Sequence, residues 1–180
     1  MRKDEAGIGI VEVLIAIMII NIAIMAMFAM FQAGGLSILR AARTSNASVV
    51  AEKQMELYRG LLYAEIRLNL ADTLVAAVDP VHTAAPEWVS AVSQKTSASC
   101  LSTNTECKPV QTSVTGPDGR AYRVDTYIVD APVTSGRTGK QVTVNVYLGA
   151  DTSKVLAQLS SNFDLATGCI PNSTTAGYAC

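Results

Sequence analysis

From Ile8 to Phe31 the only strongly polar side chains are Glu12 and Asn21, and no proline interrupts the run. As a helix this stretch is ~36 Å long at ~1.5 Å per residue, enough to cross a hydrocarbon core of ~30 Å. A secretory signal peptide has a basic start, as Arg2 and Lys3 provide, but its apolar core is only ~7–15 residues long. This run exceeds that length, so it reads as a membrane helix. Charge alone leaves its orientation open, because Asp4 and Glu5 offset Arg2 and Lys3 while Arg40 and Arg43 follow the far end. The chain is 49% hydrophobic, and its apolar residues are concentrated here, with Ser/Thr-rich sequence after it. The composition therefore points to an anchor followed by one ectodomain within 180 residues. A net charge of -1 without a basic block gives no electrostatic footprint for nucleic acid.

Glu12 is the residue that needs an explanation. An acidic group near the middle of a membrane helix costs ~2.5–3.5 kcal/mol on insertion scales. Glu12 lies about a turn into the run, so its carboxylate either reaches the headgroups or meets a cationic partner inside an assembly.

The stretch Gly7-Ile8-Gly9-Ile10-Val11-Glu12-Val13-Leu14-Ile15 resembles the processing site of type IV prepilins and of the pseudopilins of secretion and competence systems. Ile8 stands where that family more often has Phe or Met, and Gly9 where it has Thr. The resemblance implies cleavage after Gly7, methylation of the new N-terminus at Ile8, and a role for Glu12 in filament assembly. The implied partners are a prepilin peptidase and methyltransferase, other pilin or pseudopilin subunits, and the membrane before assembly. A free α-amine has a pKa near ~8 and is mostly cationic at neutral pH. Paired with Glu12 of its own or a neighbouring chain, it would offset the cost of burying both charges.

The resemblance further implies an α+β fold of the type IV pilin kind, a long N-terminal helix packed on a three- or four-stranded antiparallel sheet. It divides the chain into a leader (1–7), a transmembrane and assembly helix (8–35) and a head (36–180) that includes the amphipathic half of the helix. The expected location is the bacterial inner membrane, single-pass with the head outside the cytoplasm, then a pilus or pseudopilus. The absence of proline between Ile8 and Phe31 and the stretch Ala51–Arg59, similar to minor pilins of the type IV modification kind, favour a minor subunit.

Beyond the anchor the helix is expected to continue past Gly34 and Gly35. Its apolar stripe reads as Leu39, Val50, Leu57 and Leu61, which fall on one side at ~100° per residue. A second helix is predicted from Leu68 to Val78, ended by Asp79-Pro80. The sequence from there to Pro109 reads as a long loop held by a disulfide. Alternation predicts strands at Tyr122–Ile128 and Val142–Leu148, each with one apolar face, flanked by strands at Gln111–Thr115 and Lys154–Ser160. Turns are expected at Gly116–Gly119 and Gly136–Gly139.

Four cysteines, Cys100, Cys107, Cys169 and Cys180, all follow the apolar run, which suggests disulfides in an oxidising compartment. Three pairings are possible; Cys100 with Cys107 and Cys169 with Cys180 is preferred because each closes a short loop. A zinc site lacks both C-x-x-C spacing and a nearby histidine.

His82 is the single histidine and sits in loop-like sequence, so it is expected in solvent and not in a catalytic triad. Asp118, Asp125, Asp130 and Asp151 are likewise expected in solvent, and their spacing matches no calcium loop. With no phosphate-binding or dinucleotide fingerprint, neither cofactor nor enzymatic activity is expected. Trp88 and the tyrosines read as packing residues in the absence of a basic groove. The alternative to a filament subunit is an anchored or filament-tip binding protein whose segment 81–108 carries recognition.

Overall fold

The computed structural model describes residues 9–131, 139–149, 151–164, 170–171 and 178–179. Its first element, α1 (Ile10–Arg59), is one 50-residue helix. The chain divides into two compact units within α1, between Ala42 and Arg43.

In the first unit the helix runs through Gly34 and Gly35, as expected. Its large apolar side chains are open, from Ile10 at 81% exposure to Leu39 at 56%. By length and composition the helix can cross a membrane, and its most apolar 18-residue window has a mean hydropathy of 2.7. Within that apolar surface Asn21 donates Nδ2 to the Ile17 carbonyl at 2.8 Å, so its amide is paired inside the helix.

The second unit packs the remainder of α1 on a sheet. The four strands β3 (Val110–Thr115), β4 (Ala121–Asp130), β5 (Gly139–Leu148) and β6 (Asp151–Asp164) are antiparallel in the order β3-β4-β5-β6. Register places Val124 opposite Val146, Thr126 opposite Val144 and Ile128 opposite Val142, so one face of the two central strands is almost entirely apolar. It forms one core with Ala47, Val50, Ala51, Met55 and Tyr58 of α1 and with Ile66, Leu68 and Phe163. Complete burial of a side chain such as Met55 or Val144 is worth ~1.5–3 kcal/mol. The turn between β3 and β4 closes through Gly119 N–H to the Gly116 carbonyl at 3.1 Å, with Gly119 at φ 71°, where a side chain would be strained.

The packed face of α1 agrees with the predicted stripe in part. Val50 is buried and Leu61, beyond the helix end, packs against the same core, whereas Leu39 is 56% and Leu57 37% exposed, and Ala47, Ala51, Gln54, Met55 and Tyr58 complete the buried face. The true face is rotated by roughly 80° at ~100° per residue. Small side chains at Ala47 and Ala51 let the backbone approach the sheet, and dispersion gained at close contact outweighs the larger area of an isolated leucine.

The second helical segment begins two residues later than predicted. Leu68–Asn69 form a short strand, β1, and α2 (Leu70–Ala76) follows, with Asn69 Oδ1 capping the Asp72 N–H at 2.8 Å. Asp79 is a boundary of a different kind from the one expected. It caps a further short helix, α3 (Pro80–Thr83), accepting from Val81 N–H at 2.9 Å, with Pro80 at the first helical position where no N–H is needed.

The predicted loop to Pro109 is thus partly ordered structure: α3, a strand β2 (Thr96–Ser97) parallel to β1, and a 3-10 turn at Thr105–Cys107. The 3-10 turn is tied to α1 by Tyr58 Oη donating to the Glu106 carbonyl at 2.6 Å and Gln54 Nε2 to the Thr105 carbonyl at 3.4 Å. β6 extends over fourteen residues, beyond the predicted Lys154–Ser160. Of the predicted reversal Gly136–Gly139 only Gly139 is described. Two short strands, β7 (Ile170–Pro171) and β8 (Tyr178–Ala179), pair with each other.

Lys140 fastens the chain leaving α1. Its Nζ donates to the carbonyls of Tyr63 at 2.6 Å and Ile66 at 2.9 Å and lies 4.5 Å from the Tyr63 ring centre. Burial, followed by the positive charges of Arg67 and Lys95, holds its pKa at about 8, below the ordinary 10.5. Between these values the unfolded chain binds more protons than the folded one, so stability rises with pH across that window. Urea unfolding at several pH values from about 8 to ~10 should show this rise, and Lys140→Met should abolish it. Equal slopes for the two proteins would contradict the assignment.

Candidate functional site

Of the residues marked by the sequence, Gly7, Ile8, Cys169 and Cys180 lie outside the described residues. Glu12 is in the first turn of α1, its N–H bonded to the Gly9 carbonyl at 2.9 Å. Acidic residues are favoured there because the unpaired N–H groups carry partial positive charge. Its side chain is exposed, as are the apolar side chains that follow it. The result is a long apolar surface carrying one carboxylate near its end. Such a surface is unfavourable in water and needs lipid or other helices to cover it.

Cys100 and Cys107 are joined in a disulfide with Cα atoms 5.6 Å apart. The closed loop is held by Asn69 Nδ2, which donates to the Cys100 carbonyl at 2.6 Å, so it is anchored to the start of α2.

Comparison with protein-family models, curated proteins and solved structures finds no match.

The chain's main departure from its sequence reading lies on the other face of the sheet. Alternation predicts that Arg123 and Asp125 of β4 and Thr143 and Asn145 of β5 face solvent, yet all four are buried, together with Tyr127 and Tyr147 on the same face. The segment from Asp79 to Gln94 bonds to Arg123, Asp125, Tyr127 and Asn145 on this face, while the Thr143 hydroxyl lies 3.1 Å from that of Ser160 on β6. Arg123 is clamped to Asp125 by Nε to Oδ1 at 2.8 Å and Nη2 to Oδ2 at 2.9 Å, and Nη2 also reaches Asp79 Oδ2 at 2.8 Å. Burial works against the Arg123 charge, but the hydrogen bonds and charges of Asp125 and then Asp79 outweigh it and strengthen its hold on its proton. Burial likewise pushes the Asp79 carboxyl up, and the Arg123 hydrogen bond, the Val81 N–H and the Arg123 charge together bring it below its ordinary value.

His82 and Asp125 correct two expectations of solvent exposure. His82 is wholly buried, its ring stacked on Tyr127 at 4.4 Å and edge-on to Trp88 at 5.0 Å. Its Nδ1 lies 3.4 Å from Asp125 Oδ2, and Tyr127 Oη donates to its carbonyl at 2.9 Å. Its Nε2 has no hydrogen-bond partner and faces no open surface. This geometry makes His82 a packing residue that seats α3 on the sheet. Gln94 closes the same cover by accepting the Ile128 N–H at 2.9 Å. Trp88 and Tyr127 act as the packing residues they were expected to be.

Hydropathy gives no signal for such a cover, because its buried side chains are polar. An available signal was the opposite charge of Arg123 and Asp125 two residues apart on one strand face, which suits a desolvated pair. Among the described residues no group of three or more His, Cys, Asp or Glu is placed to hold a metal ion.

Proposed function

We propose that the chain is a minor subunit of a type IV pilus or related filament, cleaved after Gly7, methylated at Ile8 and inserted through its apolar helix. The observation that carries this reading is the uncovered apolar helix with one carboxylate, Glu12, in its first turn, continuous with a helix half packed on a four-stranded antiparallel sheet. An architecture of that kind is suited to delivering a folded head to the surface of a bundle whose core is built from helices.

In this reading the chain catalyses no reaction. It is the substrate of a peptidase and a methyltransferase, and it changes solvent from lipid to neighbouring helices on assembly. Between those two environments the apolar term nearly cancels, because lipid is as apolar as another helix. The choice then depends on close packing and on the pairing of Glu12 with an α-amine, which is stronger at low dielectric. The type IV pilin fold and a location that passes from the inner membrane to the filament follow from the same reading.

Mass spectrometry of the chain purified from cells with an active prepilin peptidase should find a methylated Ile8 as first residue. An intact Met1–Gly7 segment in those cells would end the proposal.

A further inference from the structure

The turn between β3 and β4 contains the step Asp118–Gly119, in which no side chain shields the nitrogen that follows the aspartate. Such a step can rearrange without an enzyme. The Gly119 nitrogen attacks Cγ of Asp118 and forms a C–N bond, while the hydroxyl of the protonated carboxyl group leaves with the nitrogen's proton as water. The product is a succinimide. Water then opens this ring at either carbonyl, restoring aspartate or giving isoaspartate, in which the side-chain carbon has joined the backbone.

The turn holds both reacting groups. Asp118 Oδ1 accepts from the Arg120 N–H at 3.2 Å and Oδ2 accepts from Tyr122 Oη at 2.9 Å, while the Gly119 N–H is donated to the Gly116 carbonyl at 3.1 Å. Gly116 makes the tyrosine contact possible, because a Cβ there would lie 2.8 Å from ring atom Cδ2 of Tyr122 and closer still to Cε2. Tyr122 is wholly buried in the core, so its hydroxyl reaches the carboxylate from a fixed position.

Two arginines also act here. Arg120 Nε lies 3.8 Å from Asp118 Oδ2, and the charge of Arg43 on α1 is felt at the Tyr122 hydroxyl. Burial and then the Asp118 carboxylate raise the Tyr122 pKa above its ordinary value despite both arginines, so the hydroxyl keeps its proton and donates. Desolvation works to raise the Asp118 carboxyl, but the Tyr122 hydrogen bond, then backbone N–H groups and the Arg120 charge, bring it below its ordinary value. An ionised carboxylate is a poor electrophile, since ring closure has to expel a hydroxyl as water.

We propose that Asp118–Gly119 is a site of spontaneous isoaspartate formation and that the Tyr122 hydroxyl, seated over Gly116, restrains it. Rearrangement would insert one carbon into the turn and disturb the pairing it closes, Thr115 opposite Ala121. This chemistry needs no partner and is independent of the filament reading.

The test is incubation of the full chain in detergent micelles, beside the isolated peptide Thr115–Ala121, in water enriched in heavy oxygen. Mass spectrometry reads the heavy oxygen gained at position 118, and electron-transfer fragmentation separates isoaspartate from aspartate. The folded chain should rearrange at least about tenfold more slowly than the peptide, because its hydrogen bonds must break first. Tyr122→Phe keeps the ring and removes the donor. It should rearrange several-fold faster than wild type, and the pH at which its rate begins to fall as the carboxyl ionises should move up. Gly116→Ala, which displaces the ring, should likewise be faster, and it decides the matter if Tyr122→Phe does not fold. Near-UV circular dichroism identifies folded variants. The proposal is overturned by no isoaspartate in the peptide, by a folded chain as fast as the peptide, or by no gain in the folded variants. A faster Tyr122→Phe with an unmoved pH profile would also overturn it, since the turn would then merely have loosened.

Discussion

Replacing Arg123 with methionine should destabilise the protein by about 3–5 kcal/mol, the cost of stranding a buried charge by removing its partner. The stranded group is Asp125, which is wholly buried and loses two hydrogen bonds, those from Arg123 Nε at 2.8 Å and Nη2 at 2.9 Å. Its remaining polar neighbour is His82, 3.4 Å away. Asp79 loses its contact with the guanidinium as well but keeps the backbone N–H groups of α3, so the penalty falls mainly on Asp125. Methionine preserves much of the stem volume, which separates the electrostatic loss from a cavity. Urea unfolding of wild type, Arg123→Met, Asp125→Asn and the double variant closes a mutant cycle. The double variant should recover part of the loss, because a neutral amide is far cheaper to bury than a carboxylate. A loss below about 1 kcal/mol in Arg123→Met would mean that the pair contributes no more than an exposed surface ion pair.

The second large effect concerns the proposed assembly and rests on the filament reading. Glu12→Ala should reduce incorporation into filaments at least about tenfold, since an α-amine left unpaired among apolar helices costs more than the ~1.4 kcal/mol that a factor of ten requires. Membrane insertion should persist, because alanine only makes the helix more apolar. The contrasting variant is Val92→Asp with Leu101→Asp, at two exposed positions of the segment 81–108. It should be incorporated normally, and any defect it shows should be in attachment. Deleting the segment is not an equivalent experiment, because His82, Gln94 and Cys107 belong to the packed structure. Immunoblots of sheared filaments and membrane fractions measure both outcomes. Unchanged incorporation of Glu12→Ala would sink the account given for its carboxylate.

The contrast between the two faces of the sheet shows what kind of burial a sequence advertises. On the face toward α1, Val124, Ile128, Val142, Val144 and Val146 recur at every second position, and the β-strand period of two makes that pattern readable without coordinates. The opposite face has the same period but carries Arg123, Asp125, Thr143 and Asn145. Such residues are buried only when specific partners arrive, and for Arg123, Asp125 and Asn145 those partners come from tens of residues earlier in the chain, at Asp79, His82 and Glu87. Local pattern cannot encode that meeting. The α1 stripe departs from expectation at Leu57 for a related reason: leucine carries stronger hydropathy than Ala47, Ala51 and Gln54, while the sheet selects side chains that allow close approach.

By itself the sequence determined the long apolar helix, the place of Glu12 near its start, the central strands and the Cys100–Cys107 loop. These depend on local spacing, and a helix or strand period carries them directly. Only the tertiary structure decided that α1 packs through Ala47, Ala51 and Tyr58, that Asp79–Gln94 closes over the second face, and that Asn145 donates to Glu87. Each of these is a contact between distant segments, fixed by shape and by desolvated hydrogen bonds that single-residue properties do not record.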